Sequence, residues 1–404
     1  MAPESEGRLN RPARSELARH WGLDPEIVFL NHGSFGACPR AVLAFQQNLR
    51  ERLEAEPVRF FVREYQDLLD TARCALARFV GCDPDGLAFV TNATTGVNTL
   101  LQSLVDLEPG DEVLITDHEY PACRNAVAVM VAGSGARVVV APVPFPVTSP
   151  AEVVEAVRAR IGRRTRMVLI DHVTSQTGLI FPVEEIAAAA HEAGASVIID
   201  GAHAPGMLDL RLNDLGVDGY VGNCHKWLCA PKGAAFLWVT PKHRGRIRPL
   251  VVSHGATAPP SGRFRAEMDW TGTGDPTPWL AVPEAIRVMN DLVPGGWPDI
   301  RRRNRNLVLE GRRLLCAALD LSAPAPDEMV GALASIPLSD GGGGADSAPI
   351  DPLQDELWQR FGIEVPVITW PAPPHRLLRI SAQLYNAPDE YRYLAEALKL
   401  CCRA

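Results

Sequence analysis

No apolar run in this chain is long enough to cross a bilayer. Its opening stretch, MAPESEGRLNRPARSELARHWG, is charged and lacks the apolar segment of a secretory leader. The expected location is therefore the cytoplasm, with no membrane partner. Basic residues are not in excess: Lys plus Arg number 40 against 48 Asp plus Glu, a formal net charge of −8. Without a basic patch interleaved with aromatics, no nucleic-acid partner is expected. The nine cysteines are scattered with no CxxC pair, which reads as reduced packing thiols. Histidines at 118, 172, 203 and 225 show no HExxH or similar ligand spacing, so no metal site is expected. The Gly-Lys of a nucleotide phosphate loop, the three glycines of a dinucleotide fingerprint and internal repeats are also missing.

What is present is a chain of 404 residues, 47% of them hydrophobic, enough for sizeable cores. Strand-like and helix-like segments alternate through its middle, as a parallel α/β sheet requires. DEVLITD, ARVVVAPV, TRMVLIDHV and ASVIID read as strands, with AEVVEAVRARI and PVEEIAAAAHEAG as helices between them. Residues 1–40 read as an arm, and helices from Ala41 to about Val80 join it to a large domain over 41–285. Residues 286–404 read as a smaller C-terminal α/β domain, with strands in MVGALASIPL, IEVPVIT and HRLLRIS. LSDGGGGADSAP, from Leu338, reads as a flexible insertion, because four consecutive glycines are costly to hold in one conformation.

Two strand ends carry chemistry. ASVIID ends on Asp200, and twenty-six residues later Lys226 follows His225 in a turn of Gly, Cys, Ala and Pro between two more strand-like segments. A lysine in apolar surroundings loses proton affinity, which supplies the free amine for imine formation. A buried carboxylate can keep a pyridine nitrogen protonated, so lysine and aspartate together suit pyridoxal phosphate. Ligands of such sheets gather at the carboxyl ends of the strands, where both residues lie. A phosphate site is expected in GLAFVTNATTGVNTLLQSL, with Leu87 to Val90 as a strand, Thr91 to Gly96 as a turn and Val97 to Leu104 opening a helix. Its backbone N–H groups and the hydroxyls of Thr94 and Thr95 would receive the phosphate.

These pieces together resemble the fold-type I pyridoxal phosphate enzymes of the class V aminotransferase family, in its isopenicillin N epimerase-like branch. The resemblance runs through LNHGSFG, AEPVRFFVRE, TNATTGVN, TDHEYPA, DHVTSQTGLIFPVEE, DGAHAPGMLDL, GNCHKWLCAPKGAAFL, WTGTGDPTPWLAVPEAI, GIEVPVI and LLRISAQLYN. It implies an α/β fold with a mainly parallel, seven-stranded sheet in the large domain, and pyridoxal 5′-phosphate as cofactor. Lys226 becomes the Schiff-base lysine, Asp200 the partner of the pyridine nitrogen, and His203 a donor to the phenolic oxygen. Thr94, Thr95, Asn223 and His225 surround the phosphate. A ring from DHEYPA stacks on the pyridine face, Tyr120 being favoured over His118. Ser175 lies near the phenolic oxygen or the substrate. Arg379 clamps the substrate carboxylate, a task suited to its planar fork, and Asn31 and His32 stand beside the substrate. Thr273, in WTGTGDPTP, reaches the phosphate of a neighbouring subunit, so a homodimer is implied.

The resemblance also limits the reaction. A cysteine desulfurase needs a thiolate on a mobile loop of the small domain, whereas GIEVPVITWPAPPHRLLRIS has no cysteine and places Trp370 there. The leading expectation is an epimerase acting at Cα of a substituted amino acid. The alternative is a carbon–sulfur β-lyase of the hercynylcysteine sulfoxide lyase type, ahead of an aminotransferase or a catalytically silent binding protein. Epimerisation needs a second proton donor opposite Lys226, and the sequence offers His32, Tyr120 and His118.

Overall fold

A computed structural model describes residues 9–341 and 350–401. Seven strands form the main sheet: β1 Leu87–Val90, β2 Glu112–Thr116, β3 Arg137–Ala141, β4 Thr165–Asp171, β5 Ser196–Asp200, β6 Gly219–Asn223 and β7 Ala235–Val239. Their order is β1-β7-β6-β5-β4-β2-β3. β7 runs antiparallel to both neighbours, and the other pairings are parallel. The seven-stranded sheet implied by the resemblance is thus present. Its central strands are buried on both faces, which explains why they read as nearly continuous apolar runs. Parallel pairing brings Asp171 and Asp200, the last residues of β4 and β5, side by side in register.

Helices α1 Arg40–Ala55 and α2 Tyr65–Val80 pack beneath this sheet. The expected helical stretch is interrupted at Glu56, where Pro57 starts a short turn that leads into a π-helical segment, Phe60–Glu64. In α2 the positions Leu69, Ala72, Leu76, Ala77 and Val80 recur at helical spacing and are buried, and Gly81 ends the helix in the left-handed region with φ 65°. Arg73, fully buried on the same helix, donates to the Leu87 carbonyl at 2.6 Å and to Asp269 Oδ1 at 2.7 Å. It therefore ties α2 both to β1 and to the root of the loop that carries Thr273.

The first strand–helix junction differs from the sequence expectation. Helix α3, Ala93–Ser103, begins four residues earlier than the reading that opened it at Val97. Two side chains cause this: Asn92 accepts from the Thr95 N–H, and Asn223, at the end of β6, accepts from the Ala93 N–H, both at 2.8 Å. Thr94 and Thr95 consequently stand in the first helical turn.

The C-terminal part is built on a three-stranded antiparallel sheet of β8 Leu333–Pro337, β9 Val367–Thr369 and β10 Arg376–Ser381, with β10 in the middle. IEVPVIT is split: Ile363–Glu364 pairs with Val28–Phe29 of the N-terminal arm, and only the second half joins β10. The division falls at Pro366, which has no N–H for a ladder. The long helix Gly296–Ala318 joins the two cores, with Trp297 and Ile300 in the larger and Val308 and Leu315 in the smaller. Residues 342–349, in the glycine-rich stretch, lie outside the described residues, as does Cys402. Among the described residues no helix is long and apolar enough to cross a membrane.

The arm closes onto the lysine turn through Gly36. A Cβ there would stand 2.2 Å from the His225 carbonyl oxygen and 2.9 Å from Lys226 Cα, and the residue has φ +71°. Gly36→Ala should lower stability by about 2–4 kcal/mol, the combined cost of a left-handed non-glycine residue and of overpacking. A chemical denaturation midpoint that does not move would show that the arm is free of the turn.

Candidate active site

The site lies at the carboxyl ends of β4, β5 and β6, opposite the capped start of α3. At that helix start the N–H and hydroxyl of Thr94 have no partner among the described residues, so both are available to an anion. The Thr95 hydroxyl is directed to Asn92 Oδ1 at 3.1 Å, and the Asn223 carbonyl oxygen is occupied by Ala93. His225 Nδ1 donates to the Ala234 carbonyl at 2.8 Å, which leaves Nε2 free, and burial lowers its pKa to about 4.

Lys226 is half-buried in the turn between β6 and β7. Its Nζ lies 3.2 Å from His203 Nε2, while the Trp227 indole N–H points at His203 Nδ1 from 3.3 Å. The indole can only donate, so Nδ1 must accept and the proton of neutral His203 resides on Nε2. Nε2–H then donates to Lys226, which requires the free amine. Burial and the Lys226 charge hold His203 well below its ordinary pKa. Burial, then Arg379, lowers Lys226 to about 8.

Asp200 is also buried. Its Oδ1 accepts from the Ala202 N–H at 2.9 Å, and its Oδ2 accepts from the Cys123 thiol at 3.2 Å. Burial raises the Asp200 pKa, opposed by these donors and by Lys226. Next to it stand Asp171 and Glu119, carboxyls that the sequence reading did not single out. The signal for Asp171 was available, since it ends a strand adjacent to that of Asp200.

Arg379, on β10, reaches into the same region. One terminal nitrogen donates to the Ser175 carbonyl at 2.6 Å and to its hydroxyl at 3.3 Å. The other donates to Ser34 Oγ at 2.8 Å and to Asn31 Oδ1 at 3.4 Å. Asn31 is held in turn by Glu364 and Ser34, so Asn31 and Ser175 position the guanidinium, with Ser34 as a partner the sequence reading missed. Ser175 therefore stands at the clamp, on the substrate side of the two positions the sequence left open.

Two histidines that the sequence offered as donors have both ring nitrogens engaged elsewhere. His32 has both ring nitrogens committed, Nδ1 to the Tyr385 hydroxyl at 2.8 Å and Nε2 to the Lys226 carbonyl at 3.0 Å. It braces the lysine turn and cannot also meet substrate. His118 is fully buried, bonded to Thr177 Oγ1 at 2.7 Å and to the Val143 carbonyl at 3.0 Å, with Trp370 edge-on at 4.6 Å. Tyr120, two residues on, caps α4, Pro121–Ser134, and is exposed. Of the two rings considered for stacking, only Tyr120 is open to a ligand. Thr273 is exposed on its loop, where the neighbouring glycines have open space.

The family model for class V aminotransferases matches residues 28–292. The chain belongs to the class V aminotransferase family. It is 38% identical over 390 residues to isopenicillin N epimerase of Streptomyces clavuligerus, covering 93% of this chain and 95% of that one. It is 30% identical over 405 residues to a probable chloroplastic L-cysteine desulfhydrase of Arabidopsis thaliana, covering 95% and 84%. Among solved structures, the cystine C-S lyase C-DES in complex with cysteine persulfide superposes with a TM-score of 0.76 at 23% identity, covering 93% of this chain and 97% of that one. The protein is an enzyme of this family, and its cofactor is pyridoxal 5′-phosphate. The residues present fit that group: a lysine amine of lowered proton affinity, a buried carboxyl with its own donors, and a helix start whose Thr94 N–H and hydroxyl are unclaimed among the described residues.

Capture of cofactor by the apoprotein requires the unprotonated amine, so its rate should rise with pH through about 8, the Lys226 value. Trp227→Phe removes the donor that fixes the His203 tautomer. Nε2 can then accept from the ammonium form, and the midpoint should move to higher pH. Stopped-flow absorbance across pH checks both statements; an unshifted midpoint in Trp227→Phe would refute the tautomer argument.

Proposed function

We propose that this enzyme inverts the α-carbon of a substituted amino acid, with Lys226 exchanging a proton on one face and Tyr120 on the other. The observation that carries this reading is the commitment of both nitrogens of His32 and of His118, which leaves Tyr120 as the uncommitted member of the three donors considered. The similarity to isopenicillin N epimerase supports the same reaction class. When bound, pyridoxal phosphate supplies the electron sink for a carbanion at Cα. Arg379, preset by Ser34, Asn31 and Ser175, holds the substrate carboxylate and orients the Cα–H bond. His203, through its Nε2–H, orients the base form of Lys226, and Asp200 provides the negative charge for the pyridine nitrogen. Thr94, Thr95, Asn223 and His225 make up the phosphate end.

Carbon–sulfur β-elimination is a second reading, favoured by the desulfhydrase relative, and it needs only Lys226 as base. Sulfur transfer to an enzyme thiolate is disfavoured. Trp370 packs against His118 and Phe145 where that reaction would need a cysteine, and burial pushes the nearby thiols of Cys123, Cys224 and Cys229 upward in pKa.

Tyr120→Phe should still exchange the α-hydrogen of an L-amino acid with deuterated solvent but lose inversion by about 10²–10⁴-fold, the usual contribution of a general acid. Chiral chromatography and mass spectrometry read the two together. Equal loss of exchange and inversion would assign both faces to Lys226. Pyruvate from cysteine conjugates without D-product would favour the lyase.

A homodimer and a cytoplasmic location belong to the same proposal. Phe35, Val58, Val62, Val251 and Val252 are strongly exposed, as a subunit surface would require, and Thr273 is free to reach a second site. Thr273→Ala should weaken cofactor retention by about tenfold or more, the loss of one hydrogen bond to a charged group. Mixed with Lys226→Ala, it should regain activity, because one site of the hybrid carries both changes and the other neither. No rescue in a demonstrated hybrid would place the whole site within one subunit.

A further inference from the structure

Three carboxyl groups share a water-excluded pocket behind the candidate site. Asp171 and Asp200 end adjacent strands, and Glu119 comes from the loop between β2 and α4, directly before Tyr120. The carboxylate oxygens of Glu119 and Asp200 and the Cys123 sulfur all lie within 4.8 Å of one another. The other titratable groups that act on the pocket are Lys226 on its turn, Arg124 beside Cys123 on α4, and Tyr220 on β6, whose hydroxyl is taken by His172. Glu119, Asp171 and Asp200 are buried, and two cations cannot balance three carboxylates.

The hydrogen bonds show where the charge resides. Asp200 accepts from the Ala202 N–H and the Cys123 thiol, whereas neither oxygen of Glu119 has a partner of normal geometry and Asp171 Oδ2 has none. An anion without donors is the costliest occupant of such a pocket, and a neutral acid is far less costly. Burial, then the charges of Asp171 and Asp200, push the Glu119 carboxyl well above the usual range; burial and Asp200 raise Asp171 as well, but Lys226 opposes that rise, and of the three only Glu119 has both oxygens without a partner among the described residues.

We propose that Glu119 is a positioning residue: it remains a neutral acid and holds the pocket's proton, so that Asp200 carries the negative charge directed at the pyridine nitrogen. The proposal rests on the reading of Asp200 as that partner. It gives the residue before Tyr120 a role in the state of the cofactor without contact to substrate. The same three groups, Glu119, Cys123 and Asp200, could instead close around a divalent cation, and the test separates the two.

The sign of the pH effect follows from linkage. Folded Glu119 retains a proton that the unfolded chain releases above the ordinary glutamate range, so its contribution to stability is full at low pH and falls as pH rises toward the folded value. Glu119→Gln, a neutral isostere, escapes that fall. The thermal midpoint of the variant apoprotein should therefore gain on the wild type steadily as pH rises above about 4.5. Infrared spectra at pH 8.5, above the value of about 7 for Glu390, should show a protonated-carboxyl band in the wild type that is missing from Glu119→Gln. If the variant does not fold, ¹³C-glutamate labelling of the wild type assigns the same band by its isotope shift. No protonated glutamate band, a midpoint difference independent of pH, or one equivalent of bound divalent metal would each overturn the proposal. Asp200→Asn tests the underlying reading separately: unchanged cofactor affinity and absorbance there would remove Asp200 as the pyridine partner, whatever Glu119 does.

Discussion

The site depends on a lysine amine whose proton affinity is lowered inside the protein, to about 8. Burial, then the Arg379 charge, lowers the proton affinity of Lys226, and the Trp227–His203 pair adds direction, because an indole that can only donate leaves His203 one tautomer. Much of the surrounding structure serves to hold that turn still. His32 bonds to the Lys226 carbonyl from the arm, Gly36 allows the arm to lie against it, and Trp279 donates to the Gly233 and Val90 carbonyls at its far end.

Around this amine the protein separates charges that would otherwise cancel. Arg379 is buried and depressed to about 10, held by carbonyl and hydroxyl oxygens of Ser175, Ser34 and Asn31, with no carboxylate of its own among the described residues. A guanidinium held by neutral acceptors keeps its charge available for a substrate carboxylate, whereas one paired to a buried aspartate would not. On the other side, acidic groups outnumber their counterions and are resolved by proton placement. Positive charge for substrate and negative charge for cofactor are thus kept apart within one pocket.

The same geometry bears on reaction choice. Enzymes of this family share the steps up to the carbanion at Cα, and divergence follows from which group stands opposite the lysine. Here two histidines that could have served there are built into the core, one behind Trp370 and one under the lysine turn. What remains open is an exposed tyrosine at a helix start, a group able to donate a proton and unable to displace sulfur.

The sequence by itself determined the α/β class, the parallel strand ends at Asp200 and near Lys226, the cofactor and the family. The class and the strand ends are written in local patterning, as apolar runs closed by one polar residue and a small-residue turn around a lysine, whereas the family comes from the resemblance of ordered blocks along nearly the whole chain. The tertiary structure decided what depends on partners far away in the chain. Ala93 begins a helix because Asn92 caps it locally, a signal the sequence carried, and because Asn223 accepts from the Ala93 N–H from 130 residues away, which no local pattern reveals. His32 and Asn31 look alike as polar residues in LNHGSFG, yet one meets Tyr385 and the other Arg379, because β10 and the C-terminal segment fold back over the arm. Glu119 resembles a surface glutamate in DHEYPA, and only the convergence of β4, β5 and α4 makes it a buried acid without donors. Periodicity fixes which face a residue occupies; the identity of the group waiting there, and so the protonation state and chemical role, is set by packing across the fold.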